Sequence, residues 1–391
     1  MTAEKQSLNI LEPSTVSRAD RATSFVAADF GAPKGREEDW RFTPLRRIRP
    51  LFDDAGYKGV PHVEILAPQY AEVEIVDRDD AAGPAVLEPV DFPAALAWEK
   101  HENVTSVTVP REVELAEPIY VKVGAGEDLK AGRIVITAQP LSKATVVLLH
   151  EGPALFNETV EVDAKEGATL SVISVHEWDR EGLHAASHRV RAGRDANVHH
   201  MVVTLGGDLV RINVDTDFTG PGAEMRLDGL YFVDEGQHFE HRVFLHHSQP
   251  DCFSRVTYKG ALQGKGARSV WIGDCLIGKD ADNTDTYELN RNLILTEGAK
   301  ADSVPNLEIE NGEIEGAGHA SATGRFDDEQ LFYLMSRGVP PLEARRLVIR
   351  GFFAEVLHEI GIKDLEERLI AKIEADLKDY DYAPNQSADS R

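Results

Sequence analysis

From about residue 103 the chain breaks into short runs in which apolar or β-branched positions alternate with polar ones: "VTSVTV", "RIVITA", "ATVVLLH", "ETVEVDA", "TLSVISVH", "VHHMVVTL", "LVRINVDTDF", "MRLDGLYFV", "HRVFLHH", "SRVTYKGAL", "RSVWIGDCLIG", "TYELNRNLIL" and "VPNLEIE". Each run is bounded by Gly, Asp, Asn or Pro, which predicts successive strands and turns. No helix-length periodic segment separates them, so a doubly wound parallel sheet is excluded. "EGATLSVIS", "RDANVHHMVV", "PGAEMRLDG" and "EGAKADSVP" each set an alanine after a turn and before a strand, at Ala168, Ala196, Ala223 and Ala299, spaced by 28, 27 and 76 residues. A recurring unit of roughly 20 to 30 residues holding only short strands predicts a β-solenoid, with a β-sandwich as the alternative.

The flanks read differently. Upstream, "SRADRATSFVAADFGAP" predicts a helix stopping at Gly31 and Pro33, followed by helix-like "GREEDWRFTPLRRI" and "DFPAALAWEK". Downstream, "DDEQLFYLMSRG" opens on capping aspartates and ends at Gly338, "VPPLEARRLVIRGFFAEVLHEIG" starts with prolines and ends at Gly361, and "IKDLEERLIAKIEADLKDY" follows. Leu347, Val348, Phe352, Val356 and Leu357 are expected to share one stripe of the middle helix, next to Leu331, Leu334 and Met335. The expected organisation is therefore a mixed helical region over 1–102, a β core over 103–325 and a helical domain over 326–391 ending in the disordered tail "APNQSADSR".

Composition removes several function classes. The 391 residues carry 67 acidic and 42 basic side chains, a formal charge of -25, which disfavours nucleic acid as a ligand. The arginines of "RFTPLRRIRP" read as a solvated helix face. No apolar run approaches the roughly 18 residues of a membrane span, and no secretory signal opens the chain, so a cytoplasmic protein is expected. Two cysteines, Cys252 and Cys275, rule out a disulfide framework. Cys275 in "SVWIGDCLIG" reads as a small buried hydrophobe, and Cys252 after the turn "QPD" as the more accessible of the two.

Candidate chemistry is sparse. No GxxxxGK[ST] loop, GxSxG elbow or HExxH helix is present. Histidines cluster at His199 and His200 and again at His238, His241, His246 and His247; in a strand at most one of each adjacent pair points inward. Asp215 and Asp217 in "VDTDF" are placed to share a strand face, like the carboxylates of a polysaccharide-cleaving β-helix. "EGAGHASATG" sets His319 among residues with almost no side-chain bulk, as a spacer or as a docking edge that presents an imidazole.

The segments "VPNLEIENGEIEGAGHASATGRFDDEQLFYLMSRGVPPLEARRLVIRGFFAEVLHEI", "SRVTYKGALQGKGARSVWIG" and "GREEDWRFTPLRRI" resemble the SufB/SufD family of iron-sulfur cluster assembly scaffold proteins. That resemblance implies a mainly β protein, a right-handed parallel β-helix core between helical N- and C-terminal domains. It implies a non-catalytic scaffold subunit of a SufB–SufC–SufD complex. Its C-terminal helices would bind a SufC-type ABC ATPase, which hydrolyses the ATP, and its β-helix would pair with a SufB-type paralogue. SufB-type chains carry a cysteine where this one has Asn290 and a glutamate where it has Ala320, so the resemblance is strongest to the SufD type. In that type the matching histidine, here His319, is implicated at the SufB interface where a nascent cluster is held, which makes His319 the candidate ligand for iron or a transient iron-sulfur cluster; a cysteine found two residues earlier in some SufD sequences is Ala317 here. The rival expectations are a β-helical carbohydrate-active enzyme using Asp215 and Asp217, and a homodimer that stores or transfers iron.

Overall fold

The alternating runs stack on one another in register. The computed structural model describes residues 20–80, 85–325 and 328–377. In chain order its strands are β1 (His62–Leu66), β2 (Glu72–Asp77), β3 (Asn103–Val109), β4 (Ile119–Gly124), β5 (Gly126–Ala138), β6 (Lys143–Gly152), β7 (Ala154–Ala164), β8 (Thr169–Trp178) and β9 (Leu183–Ala192). Then come β10 (Asn197–Thr204), β11 (Leu209–Phe218), β12 (Glu224–Val233), β13 (His238–His247), β14 (Phe253–Leu262), β15 (Arg268–Ile277), β16 (Asp285–Ile294), β17 (Lys300–Ile309) and β18 (Gly316–Arg325). Sheet I runs β1-β4-β6-β8-β10-β12-β14-β16-β18, and sheet II runs β17-β15-β13-β11-β9-β7-β5-β3-β2. From β3 onward each coil gives one strand to each sheet, and neighbours within a sheet are parallel, which makes a β-solenoid of about 8 turns.

Parallel pairing without slippage places equivalent residues of successive coils one above another. The alanine echo marks two such columns rather than one. Ala168, Ala196 and Ala223 precede β8, β10 and β12 in sheet I, whereas Ala299, with Ala267, precedes strands of sheet II. Cys252 holds the next place in the first column, before β14, and is 1% exposed, which corrects the expectation that it is accessible. A second periodic feature locks the coils. Gly229 pairs with Tyr258 and Tyr231 with Gly260, and a Cβ on either glycine would overlap the facing tyrosine ring.

Strands β1, β2, β4, β9 and β18 have no counterpart among the runs read from sequence. β9 ("LHAASHRVRA") and β18 ("GAGHASATGR") lack β-branched residues almost entirely, and partners on the sheet, not intrinsic propensity, hold them extended. β1 and β2 lie before residue 103 and add antiparallel to β4 and β3, closing one end of the solenoid with short edges whose Glu64, Glu72 and Glu74 are exposed.

Each sheet is also covered on its outside, and the covers differ. α1 (Ala27–Phe30) and α2 (Leu45–Ile48) are single turns; α3 (Phe92–Lys100) starts at Asp91, whose Oδ1 accepts the Ala94 N–H at 3.0 Å, with Pro93 in the first turn. The long helix expected over "SRADRATSFVAADFGAP" is reduced to α1, and the start of that segment lies outside the described residues, as does the tail "APNQSADSR". α3 and the segments around it cover sheet II through a buried charged layer. Arg211 pairs with Asp91 at 2.6 Å and Glu240 at 3.3 Å under Trp40, and Arg133 pairs with Glu161 at 2.7 Å under Trp98. The second group of helices is α4 (Asp328–Ser336), α5 (Pro341–His358) and α6 (Lys363–Asp376). α5 and α6 pack on an apolar outer face of sheet I made by Ile173, Val175, Met201, Val203, Leu230 and Phe232. The buried stripe of α5 is Ala344, Ile349, Phe353, Val356 and Leu357; Leu347 is 44% exposed, so the expected stripe is rotated by about one residue at its N-terminal half.

Overpacking a core usually destabilises by about 1–3 kcal/mol. Gly260→Ala should fall in that range by chemical denaturation, because the Tyr231 ring has nowhere to move, while Gly312→Ala, with open space around it, should change stability little.

Candidate functional site

β18 is the last strand of sheet I and β17 the last of sheet II, so among the described residues the solenoid finishes on two bare parallel edges. Side chains of β16 alternate in burial, with Thr286, Glu288, Asn290 and Asn292 turned inward. The pairing continues into β18 as Thr286 to Ala317, Glu288 to His319, Asn290 to Ser321 and Asn292 to Thr323. His319 therefore stands in an inward column, Val172–His200–Leu227–Val256–Glu288–His319, but at the coil on which nothing stacks. It is exposed for that reason alone. Across the same end Ser321 Oγ donates to Ser303 Oγ of β17 at 2.9 Å.

One coil below, the lumen is closed and partly polar. Glu288 is 1% exposed, and neither of its carboxylate oxygens has a hydrogen-bond partner among the described residues. Burial, with a smaller contribution from Asp274, pushes its carboxyl up to about 8. Opposite it, a Cβ on Gly273 would lie 3.1 Å from Glu288 Oε2 and would overlap the Trp271 ring. Cys275 Sγ lies 3.7 Å from Thr286 Oγ1, and burial, then the Glu288 carboxyl, raise its thiol to about 12.

Further along the lumen lies a histidine cluster of which the sequence reading singled out only His200. His150 and His176 are in-register neighbours with stacked rings 4.4 Å apart, His150 Nε2 and Glu158 Oε2 are 3.0 Å apart, and His188 Nδ1 and His200 Nε2 are 2.9 Å apart. Burial opposes ionisation of Glu158, but His150 and His184 outweigh it and hold the carboxyl well below its ordinary range. Burial lowers His176 and His188 well below 6.5 and His200 and His241 to about 3, so these rings are neutral spacers. The signal for this cluster was spacing across coils, which becomes visible only once register is known. As strand alternation requires, His200 and His247 are buried while His199 and His246 face outward; His238 lies under the N-terminal segment beside Glu240.

The model for the SufBD core domain of the SUF iron-sulfur cluster assembly system matches residues 121–352. That match covers more than half of the chain. The chain belongs to the SufBD family. It is 44% identical to an iron-sulfur cluster assembly SufBD family protein of Mycobacterium leprae (strain TN) over 95% of this chain and 97% of that one. A Mycobacterium tuberculosis (strain H37Rv) SufBD family protein is 46% identical over 91% and 92%. The iron-sulfur cluster assembly protein SufD of Escherichia coli (strain K12) is 26% identical over 88% and 89%.

In this SufBD family member Asp215 and Asp217 do share the outer face of β11, but they do not form an open carboxylate pair. Asp215 is 3% exposed and bound to Arg21 at 2.5 Å inside a cavity of about 210 Å³ under the N-terminal segment, and Asp217 accepts from Ser248 Oγ at 2.8 Å. Asn290 is tied to Tyr231 and to the Tyr258 carbonyl, at 3.1 and 3.2 Å. Among the described residues no group of three or more His, Cys, Asp or Glu side chains is arranged to hold a metal ion, and no helix is long and apolar enough to cross a membrane. His319 supplies one nitrogen donor at the solenoid end, so a cluster there needs further donors from outside the chain.

The raised Glu288 carboxyl has a definite sign. Its protonated form is favoured in the fold, so the stability it contributes is present at low pH and is lost as pH rises from its unfolded value near 4.5 through about 8. Glu288→Gln should therefore match the parent's thermal midpoint near pH 5 and exceed it increasingly toward pH 9.

Proposed function

We propose that this SufBD family member is a SufD-like scaffold subunit in iron-sulfur cluster assembly, and that His319 is its contribution to the handling of iron or a nascent cluster. The observation that carries this is His319 itself, the imidazole of an inward column left uncovered at a bare pair of strand edges. Such edges offer backbone donors and acceptors to another sheet, and a SufB-type paralogue is the partner whose thiolates would complete an iron site beside a nitrogen donor. The SufD relative and the SUF family model support the same role. The cluster is cargo shared with that partner rather than a group this chain holds alone. Asn290 and Ala320, standing where a SufB-type chain has its cysteine and glutamate, agree with a supporting rather than a leading part. The same proposal takes the three regions as 1–102, 103–325 and 326–391, the winding as right-handed like other parallel crossovers, and the compartment as the cytoplasm.

Energy input would come from a SufC-type ABC ATPase docked on the C-terminal helices. α5 and α6 spend their apolar face on sheet I, which leaves α4, where Phe332 and Tyr333 are 72% and 56% exposed, as the docking surface. When isolated, two copies would pair through the same bare edges. The carbohydrate-enzyme alternative has no matching geometry at Asp215 and Asp217.

Two measurements test this. His319→Ala in the intact complex should lower iron and sulfide loading at least about tenfold, the scale of a lost metal contact, with assembly unchanged by mass; normal loading would reject the role. Phe332→Ser with Tyr333→Ser should abolish co-purification of the ATPase without shifting the thermal midpoint, and retained binding would move the docking site elsewhere.

A further inference from the structure

The charged layer over sheet II encloses the cavity of about 210 Å³ between the N-terminal segments and strands β11, β13 and β15. Its lining holds five acidic side chains and three arginines, and each arginine is already engaged: Arg211 by Asp91 and Glu240, Arg242 by Asp39, and Arg21 by Asp215. What remains unspent is acceptor capacity. Asn213 and Asp215 stand two apart on the outward face of β11, 7% and 3% exposed, and Asn213 Oδ1 and Asp215 Oδ2 have no hydrogen-bond partner among the described residues. Turning the Asn213 amide over does not relieve this, because its Nδ2 donates to Asp91 Oδ2 at 2.7 Å and a carboxylate only accepts. Buried acceptors without donors are costly, so the pair calls for a donor. Arg21 shows which kind of donor the place takes. Its Nη1 meets Asp215 Oδ1 at 2.5 Å while its guanidinium carbon stands 3.7 Å from the centre of the Phe244 ring. A carboxylate at the edge and an aromatic ring at the face grip a flat, delocalised cation. Yet the Arg21 side chain keeps 29% of its surface in solvent. The segment that carries it is tied down by Thr23 to Glu88 at 2.6 Å and by the Ser24 N–H to the Pro89 carbonyl at 3.0 Å. Neither tie involves the Arg21 side chain, so it can leave the cavity with both intact.

We propose that this cavity is a binding site for a small guanidinium compound, and that Arg21 is its built-in competitor, filling the cation position until a ligand replaces it. The ligand's N–H groups take Asp215 and Asn213 Oδ1, its plane lies on Phe244, and the rest of it fills the space beside Trp40 and Phe92. An anion does not suit the place, since the arginines are spent and acids outnumber them. Size sets a further limit: a cavity of about 150 Å³ holds benzene, so this one takes a guanidinium on a short chain, up to about ten non-hydrogen atoms. His319 and the bare end of the solenoid take no part, and the inference does not rest on the assembly role.

The test titrates methylguanidinium into the full-length chain by calorimetry, with acetate as the matched anion. Arg21→Ala should bind methylguanidinium at least about tenfold more tightly than the parent, because removing the competitor raises the open fraction of the site. The probe should also raise that variant's thermal midpoint to a plateau. Arg21→Ala with Asp215→Asn should lose the binding, Arg21→Ala with Phe244→Leu should weaken it, and acetate should bind to none of them. Equal affinity in Arg21→Ala and the parent, binding that survives Asp215→Asn, or acetate binding in place of methylguanidinium would each overturn the site. Should Arg21→Ala not fold by itself, methylguanidinium in the refolding buffer should recover it, while Arg21→Ala with Asp215→Ala, which removes the stranded carboxylate, should fold without the probe. A probe that cannot restore the fold that the double variant attains overturns the proposal as well.

Discussion

In-register stacking of parallel strands is the constraint on which the rest of this protein depends. Once β10 pairs with β8 and β12 without slippage, each inward side chain must tolerate the one above and the one below, and choices at one coil propagate to the next. Tyrosine rings then need glycines beside them, as at Gly229 and Gly260, and small residues must repeat at the corner, as at Ala168, Ala196, Ala223 and Cys252. Several polar residues admitted to the lumen are paired along or across coils, as His188 is with His200 and Tyr231 with Asn292 through a 2.7 Å hydrogen bond, while Tyr258 Oη and Trp271 Nε1 have no partner among the described residues. Glu288 joins them just below the last coil.

The two outer faces obey different physics. Sheet I is joined to α5 and α6 by apolar burial, which is tolerant of sliding and strong per unit area. Sheet II meets the N-terminal segments through Arg211, Asp91, Glu240, Arg133 and Glu161, where burial of charge offsets much of the attraction but only one arrangement satisfies every group. Aromatic faces, Trp40 over Arg211 and Trp98 over Arg133, replace part of the lost hydration. The helical cover thus supplies adhesion, and the N-terminal cover supplies position.

Much of this was legible beforehand. The strands that match the runs, the solenoid class, the capping of α3 by Asp91 and the ends of α4 and α5 at Gly338 and Gly361 all carry local signatures, as do β1, β2 and β4, which alternate too but have no counterpart among the runs. β9 and β18 do not, because Ala, Gly, Ser and His become strands only when neighbours on both sides, or on one, dictate it. The exposed position of His319 was foreshadowed by its small neighbours. Glu288 and the His150–His176–Glu158 group were not, since both are defined by residues on different strands that meet only after register is set. The one-residue rotation of the α5 stripe has a similar origin: the sheet I side chains on which α5 packs decide which of its residues are covered.

The two poles of the rod are unlike. At the β1 and β2 pole, short antiparallel strands lined with glutamates face outward; at the β17 and β18 pole the parallel edges are uncovered. A stack of coils bare at both poles would polymerise without limit, head to tail, like a fibre. With one pole blunted, that route to unlimited head-to-tail growth is closed.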